Sequence, residues 1–140
     1  MTAKTTKFVV MLLLSTICFG CANPTNALLE SESAVKLRHM QTRRFDTTDR
    51  TKTLRTVMAT LQDLGFVIDK ADNELGTVSA TKLRGYTVRM TVTVKPYGEK
   101  QLAVRANAQY NLQAIENPEP YQQFFAALEK AMFLTAHSIE

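Results

Sequence analysis

The chain has 140 residues, 45% of them apolar, with 17 basic against 13 acidic side chains and a net charge of +4. Two of the basic residues, Lys4 and Lys7, precede the first apolar run; without them 15 basic face 13 acidic residues. The densest basic clusters, Arg43-Arg44 and Arg50-Lys52-Arg55, are interleaved with Asp46 and Asp49, a solvated pattern rather than the concentrated patch of a nucleic-acid binder, so nucleic acid is not an expected partner.

Met1 to Lys7 is a short cationic start, and Phe8 to Phe19 is apolar except for Ser15 and Thr16. A positive start, an apolar run and small residues at the cut are the order of an export signal. A spanning helix needs about 20 apolar residues, and Asn23, Pro24 and Asn26 stop this run early. Residues 1–20 are therefore expected to be a signal peptide. Cleavage before Cys21 leaves the cysteine as the first residue, and cleavage after Ala22 makes an ordinary exported chain. An uncleaved anchor is the third reading. A disulfide between Cys18 and Cys21 is disfavoured, because either cut separates them. No thiol then remains for catalysis or a metal.

The stretch Cys18-Phe19-Gly20-Cys21 resembles the lipobox of bacterial lipoproteins in its Gly20-Cys21 pair and in its place at the close of the apolar run. That resemblance implies lipidation of Cys21, with acyl chains that hold the protein on a membrane at about 0.8 kcal/mol per buried methylene. Ala22 in place of an aspartate implies the periplasmic face of a Gram-negative outer membrane. Residues 21–35 then form the lipidated N-terminus and a flexible tether, and residues 36–140 a single domain.

Within that domain, Lys36 to Thr47 has no helical stripe and reads as a first strand. Thr47, Thr48 and Asp49 are helix-capping residues. Leu54, Val57, Met58, Leu61 and Leu64 then recur at helical spacing, with Arg55, Thr56, Gln62 and Asp63 opposite and Gly65 closing the helix. Phe66 to Ala71 and Thr77 to Leu83 read as extended, separated by a turn at Asp72–Gly76; one long bent strand is the alternative. From Tyr86 to Lys95, apolar and polar residues alternate, and Leu102 to Gln113 repeats the pattern across a hairpin at Lys95–Lys100. Asn117-Pro118-Glu119-Pro120 leads into a helix whose stripe is Tyr121, Phe124, Phe125, Leu128, Ala131 and Met132.

The expected order is β-α-β-β-β-β-α. It makes an α+β two-layer sandwich with an antiparallel sheet of about four strands and two helices on one face. An anchored helix-on-sheet domain of this size resembles the small domains of lipoproteins that accompany outer-membrane barrel assembly. The phrases "QTRRFDT", "LQDLGFVID" and "YQQFF" also resemble small bacterial lipoproteins of unassigned role. The likeness implies a non-enzymatic accessory protein.

Catalytic equipment is sparse. His39 and His137 are far apart in sequence and share no ligand spacing with carboxylates. None of the serines sits in a nucleophile motif. Asp46 and Asp49 read as helix caps, and Glu116 and Glu119 as favourable charges at a helix start. No enzyme activity, cofactor or metal is expected. The suggestive surface is the sheet face away from the helices, with Arg89, Thr91, Arg105, Asn107 and Gln109, joined by Thr93 and Asn111, and with Tyr97 and Tyr86 at its margin. An antiparallel sheet often simply faces water; the functional reading is a docking surface. The expected function is an adaptor or accessory subunit of an envelope assembly, secretion or efflux complex, bound to the membrane through its lipid and to an envelope protein partner. The alternative is a lipid-anchored binder of a small ligand or polysaccharide, with a pocket between helices and sheet.

Overall fold

The stripes and alternations resolve into one antiparallel sheet with helices packed on a single side. The computed structural model describes residues 33–84 and 86–137, and of residues 84, 86 and 134–137 the backbone alone. Helix α1 covers residues 33–40, followed by β1 (Thr42–Phe45), α2 (Arg50–Asp63), β2 (Val67–Asp72) and β3 (Thr77–Arg84). Then come β4 (Tyr86–Tyr97), β5 (Gln101–Tyr110), β6 (Gln113–Ala114) and α3 (Glu119–His137). The strand order is β1-β5-β4-β3-β2, with β6 also paired to β5. Every pairing is antiparallel. The fold is α+β, but the sheet has six strands rather than about four.

The differences from the sequence reading have local causes. Residues 36–40 are helical, not extended, and Gln41 N–H bonds the Leu37 carbonyl at 3.0 Å. Ala34, Lys36, Leu37, Arg38 and Met40 are good helix formers. Only Leu37 packs against the core cluster, so no stripe marks this helix. The expected strand running to Gln113 ends at Tyr110. Asn111 takes φ +53°, which asparagine tolerates, and the chain reverses so that Tyr110 pairs Gln113. Asn111 is therefore a turn residue, not part of the sheet face. Tyr110 and Leu112, expected inside, are 44% and 93% exposed. The segments after α2 are two paired strands, not one bent strand, with Asp72 opposite Thr77. The Lys95–Lys100 connection shortens to three residues, because Tyr97 pairs Gln101.

The start of α2 is capped as its sequence suggests, and that of α3 by a residue the sequence reading did not single out. Asp49 accepts the Lys52 N–H at 2.9 Å, and Asn117 accepts the Glu119 N–H at 3.0 Å. Asp46, the other candidate cap, instead accepts from Gln101 Nε2 at 2.6 Å. Leu54, Val57 and Leu61 of α2 are buried, as are Tyr121, Phe124, Phe125 and Leu128 of α3. They meet Met90, Val92, Val94, Leu102 and Val104 of the sheet in one cluster. Ala80, Ala106 and Ala108 on the same face take little volume and leave room for the rings of α3. Thr56, placed on the wet side by its polarity, is buried with Thr53 and Thr60. Each hydroxyl donates to the carbonyl four residues back, at 2.8–3.0 Å, so burial leaves none unsatisfied.

Two polar clasps fix the ends of the sandwich. Gly76 has φ +68° and its carbonyl accepts the Val94 N–H at 2.8 Å. Arg50, at the start of α2, reaches across to donate to the carbonyls of Asn73 and Glu74 in the same turn. At the other edge the buried Tyr121 hydroxyl donates to the Ile115 carbonyl at 2.7 Å. It also accepts from Ala108 N–H and Gln41 Nε2, each at 3.3 Å. Gln41, 4% exposed, thereby joins β5 to α3 beside β1; its own carbonyl accepts from Ala106 N–H.

The candidate docking face of the sheet

Helices cover one face of the sheet, and residues of the opposite parity on β3, β4 and β5 form the other. In antiparallel strands, directly opposed residues share a face, so the register places the outward side chains in rungs. Thr81, Arg89 and Gln109 form one; Ser79, Thr91 and Asn107 the next. Thr93, Arg105 and Thr42 follow, then Lys95, Ala103 and Arg44, and finally Tyr97 and Gln101. The Ser79 and Thr91 hydroxyls lie 3.3 Å apart, side by side on this face. The five residues singled out by alternation, Arg89, Thr91, Arg105, Asn107 and Gln109, thus lie together on it with the margin aromatic Tyr97. The side chain of Tyr86, the other margin aromatic, lies outside the described residues, as do Cys18, Cys21 and the side chain of His137.

The same alternation includes Lys95, on β4 just beyond the rung of Arg105, but it misses one neighbour. Arg44 arrives from β1, whose pairing with β5 is non-local. Its guanidinium lies 4.1 Å from the centre of the Tyr97 ring. To reach it, Arg44 crosses β5 over Ala103, and the small alanine leaves that path clear. Tyr97 is 45% exposed.

The charges that β1, β3, β4 and β5 bring to this face are cationic. The outward residues of β1, β3, β4 and β5 include Arg44, Arg89, Lys95 and Arg105 and no Asp or Glu. None of the four forms an ion pair among the described residues. Arg105 donates to Gln41 Oε1 at 3.4 Å, a long neutral contact. Two aspartates reach the margins of this face: Asp69 of the edge strand β2 accepts from Thr81 Oγ1 at 2.6 Å, and Asp46, just past β1, accepts from Gln101 Nε2 at 2.6 Å. Arg43, of opposite parity on β1, points the other way, 3.8 Å from Glu129 and 5.2 Å from the Phe125 ring centre.

On the helix side, a cleft of about 240 Å³ opens between the end of α2, the sheet and the start of α3. Leu64, Phe66, Val88, Met90 and Pro120 supply its apolar lining. Lys82 at its margin donates to the Leu64 carbonyl at 2.7 Å and sits 5.5 Å from the Phe66 ring centre. The cleft is open and mostly apolar, unlike an enclosed cavity with converging polar groups. No group of three or more His, Cys, Asp or Glu residues among the described residues is placed to hold a metal.

No protein-family model matches this chain, and no curated protein matches it. Among the described residues, no helix is long and apolar enough to cross a membrane.

Proposed function

We propose that this is a non-enzymatic lipoprotein of the bacterial envelope. It is held by acyl chains on Cys21 at the periplasmic face of the outer membrane, and it acts as an adaptor that docks a protein partner on its helix-free sheet face. The sheet presents the docking residues without ordering a loop on binding. The observation that carries the reading is the gathering of Arg89, Thr91, Arg105, Asn107, Gln109 and Tyr97 on one face, with its arginines unpaired by carboxylates. Antiparallel sheets that merely face water need no such gathering of unpaired arginines.

A second reading, binding of a small apolar ligand, is favoured by the cleft beside Phe66 and Lys82. It stands behind the first because the lysine there is already engaged by the Leu64 carbonyl.

Extraction in mild detergent followed by affinity purification tests the adaptor. A stoichiometric envelope protein is expected to co-purify, and its recovery is expected to fall in an Arg89→Glu, Arg105→Glu double variant of unchanged circular dichroism. Unchanged capture rejects this face. Mass spectrometry of the N-terminal peptide tests the anchor: a diacylglyceryl thioether on Cys21 is expected, and a peptide beginning at Asn23 rejects it.

A further inference from the structure

We infer that the end of the sheet face bearing Arg44, Lys95 and Arg105 binds a carboxylate-rich, extended segment of a protein partner. This rests on the reading of the helix-free face as a docking surface, and it names the chemistry of what docks there.

Three observations carry it. The first is charge. The chain from Cys21 onward is nearly balanced, with 15 basic and 13 acidic residues, yet the outward side chains of β1, β3, β4 and β5 are cationic or neutral. A cluster of cations such as Arg44, Lys95 and Arg105 on a nearly neutral chain steers and selects partners of the opposite sign. The second is spacing. Lys95, Ala103 and Arg44 share a rung, and Arg105 lies on the next. Successive rungs are roughly 7 Å apart, the repeat at which an extended chain presents every second side chain. Alternate carboxylates of a strand-like segment therefore match the two cationic rungs. The third is preorganisation. Arg44 is held over the Tyr97 ring at 4.1 Å, a contact that uses the face of the guanidinium and spares its N–H fork for a carboxylate. Thr42 and Thr93 flank the cations with hydroxyls that both donate to and accept from a peptide backbone.

The same details weigh against other anionic partners. A sugar chain gains from an open aromatic platform, and Arg44 already lies over Tyr97. A membrane surface gains from apolar insertion, and the exposed aliphatics of this face, Leu83 of β3 and Val67 of β2, lie toward the opposite edge of the sheet from Arg44, Lys95 and Arg105.

The test uses the full chain in detergent, with a fluorescent peptide alternating glutamate and threonine and a twin carrying glutamine in place of glutamate. The acidic peptide is expected to bind at least about tenfold more tightly than its twin, and to weaken as salt rises. Lys95→Gln with Arg105→Gln should reduce that affinity by about tenfold or more, with unchanged circular dichroism. Equal binding of the two peptides, or unchanged affinity in the double variant, overturns the inference. So does binding to phosphatidylglycerol vesicles that depends on the same residues when the acidic peptide does not bind. Should partner capture depend on Arg89 and Arg105 while the acidic peptide fails to bind, the docking face stands and the acidic partner falls.

Discussion

The two faces of this sheet are made from alternate residues of the same strands, and they differ in almost every physical respect. On the inner face of β4 and β5, Met90, Val92, Val94, Leu102 and Val104 are buried beneath α2 and α3 in a cluster free of charge. On the outer face, Arg89, Thr91, Arg105 and Asn107 stand on the same strands, one residue out of step, with no helix of the described residues above them. The inner face derives its free energy from area removed from water. The outer face contributes little to folding, because its polar groups remain hydrated. Stability and recognition are thus separated by a single step along the chain, and a substitution that moves one should leave the other in place.

The hardest blow to the inner face is Phe124→Ala. Phe124 is fully buried and stacks edge-on against Phe125, with ring centres 5.1 Å apart. Its loss should cost about 3–5 kcal/mol, read as a lower urea midpoint. Gly76→Ala should cost about 3 kcal/mol by the same measurement. The backbone there has φ +68°, and a Cβ would lie 2.5 Å from the Val94 carbonyl oxygen. That carbonyl belongs to a central strand and cannot give way as a flexible side chain would. Tyr121→Phe should follow at about 2 kcal/mol, because the buried Gln41 amide and Ile115 carbonyl lose their shared partner. A loss below a few tenths of a kcal/mol would show that water replaces the hydroxyl.

What the sequence made legible follows the same division. Strict alternation in β4 and β5 separates the two faces without any structure, which is why Arg89 and Arg105 could be placed on one side. The α2 and α3 stripes are equally plain, because each helix buries several large residues at helical spacing. Features that depend on distant pairings stay hidden. Arg44 joins the outer face only because β1 lies beside β5, with Thr42 opposite Arg105. The Gln41–Tyr121 contact spans 80 positions. Helix α1 is silent because it touches the core through Leu37 and so shows no stripe. Strand β6 hides because the apolar alternation continues in phase across the Asn111 turn, and only the positive φ breaks it. The buried threonine row of α2 reads as polar surface because a sequence does not reveal that each hydroxyl is satisfied within its own helix.

The smallest expected effect is the sharpest test of the division. Arg89 has no side-chain hydrogen bond or ion pair among the described residues, and Thr81 and Gln109 are its neighbours across the strands. Arg89→Gln should therefore change unfolding free energy by no more than about 0.5 kcal/mol. Arg105→Gln should sit at the upper end of that range, since its guanidinium also approaches Gln41 at 3.4 Å. Both should nonetheless reduce capture of a partner that docks on this face. If Arg89→Gln instead lowered the urea midpoint as far as Tyr121→Phe, the outer face would be part of the fold's own support. Its arginines would then need no partner to explain them, and the separation of stability from recognition would fail where it is most exposed to water.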